Sequence, residues 1–585
     1  MTTDLSIPLA VAVTGAGGSG AITAGAILLE AVAAAGLYGL LRRSVGPQIR
    51  GGESAALLRF GPRPVHCAGD RCDLLAALDW ANHDRFADEI PLDAASLVLA
   101  DPAGGELPAA VRASGARIIE IGFAAAAAGP GAGHANMVAV GAVGALAGLP
   151  LPALLDGAAR LLGGKGEAVV TAASFGIRAG FELANPAAAL RPAAPLPIQL
   201  SPRWRLTGNE AAGLGALRAG VRFVAAYPIT PASEMLEWLA PRLERLGGAL
   251  LQAEDELASV NMIIGSAFGG VPALTATSGP GLSLMLEGIG LAVASETPIV
   301  VVNVMRGGPS TGIPTKSEQS DLNAALYGLH GDAPHLVLAA LDIADCAHTT
   351  AWAVRLAWRL QTAAIVLSDQ ALGQSRAVCE PLADSSGAEP AARLPAAAGT
   401  GPYHRYADTA DGVSPMSIPG EPGLAYTADG LEHGASGAPS SRAADHLAQL
   451  DKRLRKLADF DFGPDWADID GAGAENAALC LVTFGSCRGV VVEAAARLRS
   501  SGLAVTTVAL RLLLPLQRDA LHAAIGTAAV LVVEQSHGAQ LFRYLNAERA
   551  LPAAARSLAR PGPLALTPAE VVAAATAALA DGAPA

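Results

Sequence analysis

The strongest constraint on the fold is a repeated word order: a short apolar run, a turn rich in Gly, Pro or hydroxyls, then a longer stretch at helical spacing. Between residues 206 and 380, the runs Phe223–Tyr227, Ala249–Gln252, Ala273–Thr277 and Ile299–Met305 each fit a strand. From 478 onward, "LCLVTFGS", "AVTTVAL" and "AVLVVEQ" alternate with helical segments. Near the N-terminus a strand over Pro8–Thr14 leads through "GAGGSG" into a helix starting at Ile22. Strands that are apolar on both faces and separated by helices pair in parallel, with the helices covering the sheet. The expected class is α/β and multidomain, with open, mostly parallel sheets carrying helices on both faces.

A chain of 585 residues has room for three to four domains at roughly 150 residues each. Composition marks where they divide. Residues 1–185 form a first block and 186–205 a proline-rich linker. A second block covers 206–380, an irregular arm rich in Gly, Pro, Ser and Asp covers 381–477, and a third block covers 478–585. A net charge of −13 argues against a nucleic-acid grip. The one basic cluster, Lys452, Arg453, Arg455 and Lys456, reads as a solvated helix face.

The uncharged run Met137–Leu155 is interrupted by Gly and Pro, which suits a buried segment better than a membrane span of ~20 sustained apolar residues. The N-terminal words lack a basic n-region, so a soluble chain in the cytoplasm is expected. Cysteines stand apart at 67, 72, 346, 379, 480 and 487. They form neither the clustered pattern of an iron–sulfur site nor the paired pattern of a zinc site, and no residue is assigned as a metal ligand.

In open α/β sheets, ligands bind beyond the carboxyl ends of the strands. That rule selects four turns: "YPITP" (227–231), "AEDE" (253–256), "TSGPG" (277–281) and "MRGGPSTGIPTK" (305–316). Glu254 and Asp255 suit a first helical turn, where acids face the positive end of the macrodipole; Glu256 stands nearest the buried run that follows. Arg306 at a strand end can grip a carboxylate or phosphate with two charge-assisted hydrogen bonds, or close a salt bridge between domains. Thr230 before Pro231 suits a helix N-cap. Ser278 and Gly279 place a hydroxyl and free N–H groups at a helix start, suited to an anion or a polar ring. Gly15, Gly17 and Gly20 satisfy GxGxxG after a strand, but no acid follows at the end of a second strand to hold a ribose.

Taken together, "GNEAAGLGALRAGVRFVAAYPITPASEM", "EDELASVNMIIGSAFGG", "TATSGPGLSLM" and "MRGGPSTGIPTKSEQSDL" resemble the α subunit of the 2-oxoacid:ferredoxin (acceptor) oxidoreductases. The first block resembles the γ subunit of the same enzymes through "TGAGGSGAITAG" and "GPQIRGGES". The resemblance covers nearly the whole chain, with γ fused ahead of α. It implies a γ-type domain, a pyrimidine-binding thiamine diphosphate domain and a transketolase C-terminal-like domain.

The activity so implied is oxidative decarboxylation of a 2-oxoacid to acyl-CoA and CO2, with electrons passed to an iron–sulfur cluster. Glu256 matches the family acid that contacts the aminopyrimidine of thiamine diphosphate. Arg306, Thr230 and Thr315 match substrate contacts, and Lys316 is placed to meet a second carboxylate, as 2-oxoglutarate would bring. Tyr227, Pro228, Ile229, Ser278 and Gly279 fall on the cofactor side of the same rim. Gly15, Gly17, Gly18, Gly20 and Arg50 are candidates for coenzyme A. The Gly-Asp-Gly word that holds diphosphate and Mg2+ is missing, as is a cysteine set. Both are implied for a β subunit, with ferredoxin or a similar acceptor beyond it and a dimer of heterodimers as the assembly. Pyruvate, branched-chain and aryl 2-oxoacids are alternative substrates. A nicotinamide-linked dehydrogenase built on "GAGGSG" is the rival enzyme class, and a non-catalytic partner protein the rival outside enzymes. In the third block Glu534, Gln535, Gly538 and Gln540 match the family word "EQN..GQ", with Ser536 in place of Asn, and a structural role is expected for them.

Overall fold

The computed structural model describes residues 7–46, 54–81, 83–128, 133–184, 190, 203–382, 390–397, 401–471, 473 and 475–581. They fall into two compact units. One runs to Thr207 and takes in Gln374–Leu382 and Thr567–Ala569; the other holds the remainder.

The first unit is built on an eight-stranded sheet. Its strands Arg117–Glu120, Leu97–Ala100, Leu74–Ala77 and Leu9–Gly15 are parallel neighbours in that order. Ser54–Gly61, Tyr38–Val45, Arg376–Cys379 and Trp204–Thr207 then continue the sheet in antiparallel pairing. Helices Ala21–Ala34, Ala135–Leu146 and Leu151–Leu162 cover one face with an alanine- and valine-rich core. Trp80, Phe86, Ile90 and Val111 cover the other. Small residues are required where the helices Ala135–Leu146 and Glu167–Leu183 meet: a Cβ on Gly180 would lie 1.9 Å from the Val138 carbonyl oxygen. The words "WRLT" and "RAVC" carry no period of their own. The second becomes a strand because the edge of Tyr38–Val45 offers it unpaired N–H and C=O groups, and the first then pairs on the edge so formed.

The second unit contains two sheets. The larger has the order Leu512–Leu514, Leu336–Ala339, Ala363–Asp369, Ile299–Met305, Ala273–Thr277, Phe223–Ala226 and Ala249–Gln252. All its pairings are parallel except that of the short edge strand Leu512–Leu514. Ile299–Met305, buried at every position, lies centrally, as a strand without a polar face must. The smaller sheet has the order Ala467–Gly471, Val505–Leu510, Leu479–Phe484, Ala529–Glu534 and Arg556–Ala559. It too is parallel apart from its first pair.

The basic cluster is not a solvated face. Helix Ala443–Ala458 turns Lys452, Arg453 and Lys456 inward, and all three are buried. The two lysines meet the fully buried Glu296, with Lys452 Nζ 2.6 Å from Oε1 and Lys456 Nζ 3.1 Å from Oε2. Lys456 also donates to the Gln361 carbonyl at 2.7 Å, and Arg453 pairs with Glu432 at 2.8 Å. Leu447 and Leu454 of the same helix are exposed instead. A helix that leaves leucines in water and buries lysines is oriented by its ion pairs rather than by apolar periodicity. Among the described residues, no helix is long and apolar enough to cross a membrane.

Candidate active site

Three strand ends of the larger sheet meet their neighbours in an ordered way. After Ala249–Gln252 the chain enters helix Glu256–Phe268, whose N-cap is Asp255: its Oδ1 accepts the Ala258 N–H at 2.7 Å. Glu254 is exposed and Glu256 is 6% exposed, so the three adjacent acids have three different surroundings. The Glu256 side chain lies against the first turn of helix Gly279–Ala294. A Cβ on Gly281 would stand 2.7 Å from Glu256 Oε1 and 2.0 Å from Thr277 Oγ1. Glycine at 281 is therefore what admits the acid. Among the described residues, the Glu256 carboxylate has no hydrogen-bond or ion-pair partner.

Helix Ser233–Arg245 follows "YPITP". Its first N–H groups go to the Ile229 carbonyl, with Ala232 N at 2.8 Å and Ser233 N at 3.1 Å. The N-cap is Ala232 without a side-chain bond, so the Thr230 hydroxyl does not cap this helix. The turn is pinned from two sides instead. Asn209 Nδ2 donates to the Pro231 carbonyl at 2.9 Å, and Arg306 Nη1 donates to the Thr230 carbonyl. Tyr227 and Pro228 are exposed, while Ile229 and Thr230 are half-buried.

Arg306 is 6% exposed at the end of Ile299–Met305. No carboxylate lies within salt-bridge distance of it among the described residues, which removes the salt-bridge reading there. Burial lowers the guanidinium's affinity for its proton, and the charge of Asp321 opposes that effect. The loop beyond folds back on itself. Gly307 N donates to Lys316 O at 3.1 Å, and Ile313 N donates to Gly307 O at 2.8 Å. Gly312, at φ +56°, has its Cβ direction 1.7 Å from the Gly307 oxygen, so only glycine closes this turn. The fold-back returns Thr315 and Lys316 to the base of the loop. Thr315 is buried, and Lys316 is half-buried.

Two residues of this site were not anticipated. Asn303, fully buried within the apolar strand, donates Nδ2 to Asp321 Oδ2 at 2.9 Å. The Asp321 carboxylate lies over the start of helix Gly279–Ala294, where a Cβ on Gly279 would be 2.8 Å from its Oδ1. Burial pushes the Asp321 carboxyl up, with the Asn303 bond and the Arg306 charge pulling the other way. The available signal was a lone amide in "IVVVNVM" and the last acid of "SEQSDL". A cavity of about 640 Å³ opens here, lined by Gly279, Arg306, Ser310, Glu318, Asp321 and His537 among others. Of the anticipated residues, Arg306 and Gly279 line it; Thr230, Glu256, Thr315 and Lys316 do not.

Four polar atoms in this region are buried without a protein partner: Ser278 Oγ, Asn303 Oδ1, Arg306 Nε and Thr315 Oγ1. Buried polar atoms are nearly always paired. These four stand on two adjacent strands and the loop that follows, and of their residues only Arg306 lines the cavity.

In the first unit, the "GAGGSG" turn is partly satisfied from within. Asp79 Oδ2 accepts the Ala16 N–H at 2.8 Å, and Gly20, at φ +85°, packs on Asn136. A carboxylate at that donor opposes an incoming phosphate at the same point. Gly15 lies under Ser19 and Asp79, while Gly17 and Gly18 are exposed. Arg50 lies outside the described residues.

Comparison with known proteins agrees across most of the chain. The family described as pyruvate flavodoxin/ferredoxin oxidoreductase, thiamine diphosphate-binding, matches residues 214–452. Pyruvate ferredoxin/flavodoxin oxidoreductase matches residues 10–183. The 2-oxoglutarate synthase subunit KorA of Archaeoglobus fulgidus is 37% identical over 339 residues, which is 58% of this chain and 89% of that protein. The 2-oxoglutarate oxidoreductase subunit KorA of Mycobacterium tuberculosis is 38% identical over 320 residues, 53% of this chain and 48% of that protein. In structure, the 2-oxoglutarate:ferredoxin oxidoreductase from Magnetococcus marinus, solved with 2-oxoglutarate, coenzyme A and succinyl-CoA bound, superposes with a TM-score of 0.91 at 34% identity. That match covers 98% of this chain and 100% of the other. The chain belongs to the 2-oxoacid:ferredoxin oxidoreductase family, joining one family region at residues 10–183 to the thiamine diphosphate-binding region at 214–452.

Proposed function

We propose that this chain is the fused γ–α subunit of a thiamine diphosphate-dependent oxidoreductase that converts 2-oxoglutarate to succinyl-CoA and CO2. The observation that carries the reading is the set of unpartnered buried polar groups beside Arg306, with Glu256 buried on Gly281. These residues fit the cofactor's polar ring and a 2-oxoacid carboxylate. When bound, thiamine diphosphate supplies the carbon nucleophile that attacks the 2-oxo group. Glu256 holds a proton against the aminopyrimidine N1′. Arg306, fixed by its bond to the Thr230 carbonyl, receives the substrate carboxylate, and the hydroxyls of Thr230 and Thr315 orient its 2-oxo end. Lys316 serves the distal carboxylate, and the relatives named for 2-oxoglutarate support that choice of substrate.

The remaining machinery belongs to a β subunit: diphosphate and Mg2+ binding, the iron–sulfur cluster, and delivery to ferredoxin or a similar acceptor. Coenzyme A as acyl acceptor is assigned to the γ-type domain around Gly15, Gly17, Gly18, Gly20 and Arg50. The assembly is a dimer of heterodimers in the cytoplasm. Purified alone, the chain should show no visible absorbance from an iron–sulfur cluster, since its six thiols are dispersed and four are buried. A brown, active single-chain preparation would reverse the division of labour.

Substrate choice is tested by kcat/KM of the assembled enzyme on 2-oxoglutarate, pyruvate and branched-chain 2-oxoacids, with wild type beside Arg306→Lys. The wild type should prefer 2-oxoglutarate. Lysine keeps the charge but loses the planar fork. A charged hydrogen bond of about 1.5–3 kcal/mol corresponds to a loss of roughly ten- to hundredfold in kcat/KM. A higher kcat/KM on pyruvate would replace the substrate, and unchanged kinetics in the variant would take Arg306 out of the site.

A further inference from the structure

An open α/β sheet ordinarily offers a ligand site at its carboxyl-end strand tips. In the five-stranded sheet those tips are taken by the chain's own loop. Gln319, fully buried, donates its N–H to the Gln535 carbonyl at 2.8 Å and accepts the Gln535 N–H on Oε1 at 2.9 Å. Its Nε2 donates to the Phe484 carbonyl at 2.9 Å. Gly485, at φ +63°, leaves the room, since a Cβ there would lie 2.4 Å from Gln319 Nε2. Gln540 holds the next turn from its side, with Nε2 donating to the Ser320 carbonyl at 2.8 Å and the Asn323 N–H donating to its Oε1 at 2.9 Å. Glu534 in turn fixes the helix that presents Gln540. Its carboxylate accepts the N–H groups of Leu541 and Phe542 at 2.9 and 3.0 Å, and the Ser536 hydroxyl at 2.7 Å.

We propose that Gln319, Gln535 and Gln540 are positioning residues for the loop Arg306–Asp321, so that affinity for the 2-oxoacid is set in part from the five-stranded sheet. One end of this loop is closed by its own Gly307–Lys316 turn. The other end takes its register from these bonds, which fix where Asp321 meets Asn303 and Gly279. The proposal rests on the reading of this loop as the substrate loop.

The test is Gln540→Leu in the complete enzyme, which removes the Ser320 and Asn323 bonds and leaves the Gln319–Gln535 pair in place. Loss of two neutral hydrogen bonds should raise KM for the 2-oxoacid about fivefold to thirtyfold, with a smaller change in kcat. Amide hydrogen exchange at Ser320–Asn323 should quicken, and the melting temperature should fall by no more than about 2–4 °C. Gln540→Glu keeps an acceptor for the Asn323 N–H and should recover part of the KM loss. Unchanged exchange, or a lowered melting temperature with KM untouched, would overturn the proposal. Arg306→Lys in parallel separates it from the reading beneath it. If that variant raises KM and Gln540→Leu does not, only the positioning proposal fails. If neither raises KM, the loop does not bind the substrate at all.

Discussion

Glu256→Gln in the assembled enzyme should lower kcat by roughly 10²–10⁴, the usual scale for loss of a proton-transfer group, while the protein folds and melts as the wild type does. Glutamine keeps the shape that Gly281 and Thr277 accommodate but cannot hold or release the proton that the aminopyrimidine ring requires. The control lies two residues away. Glu254 is exposed and Asp255 caps the helix through the Ala258 N–H, so Glu254→Gln removes only a screened charge near a helix start, worth a fraction of a kcal/mol. Steady-state kcat on both variants, with melting curves, decides the matter. Comparable losses at 254 and 256 would mean that the acid row acts through its field rather than through one carboxylate. An Asp255→Ala variant behaves differently again. Loss of the cap bond costs about 1 kcal/mol of stability and moves Glu256 only indirectly.

The three acids show what a single sequence discloses. Their order relative to the buried run separated Glu256 from its neighbours, because a helix that starts at a strand end must turn its successive first-turn positions to different surroundings. The central strands were legible for the same kind of reason. Ala273–Thr277 and Ile299–Met305 begin and end as their apolar runs do, since both faces of each are covered, whereas Ala249–Gln252 keeps its bounds as the largely exposed edge strand of the sheet. Long-range pairing was not legible. Arg376–Cys379 pairs with Trp204–Thr207 across more than 160 residues, and neither tetrapeptide has a pattern that names its partner. Asn303 and Asp321 meet only because the loop between them folds back through Gly312. A period-based reading sees an amide in a strand and an acid in a loop, and nothing that joins them.

The inward lysines were the largest departure, and they carry a large expected effect. Glu296→Gln should destabilise the second unit by about 3–5 kcal/mol, the usual penalty for removing one partner of a buried ion pair, because Lys452 and Lys456 would remain buried beside a neutral amide. Charge in a low-dielectric interior is tolerated here only through mutual compensation, and Arg405, which donates to the Glu296 carbonyl at 2.9 Å, adds a third positive group. Replacing Glu296, Lys452 and Lys456 together by apolar residues of similar volume should be less harmful than the single change, which separates an electrostatic cause from lost packing. The pH dependence gives an independent check. Burial alone would raise the Glu296 carboxyl, but Lys456, Lys452 and Arg405 override it and hold it at about 2 against an ordinary 4.5. An acid whose folded value is depressed adds stability that is fully present above the unfolded value and is lost as pH falls through the folded one. The gap between wild type and Glu296→Gln should therefore be widest above about pH 4.5 and narrow toward about pH 2. Denaturant midpoints across that range measure it. A gap that stays constant with pH would show that the carboxylate's charge is not what holds the helix Ala443–Ala458 in place.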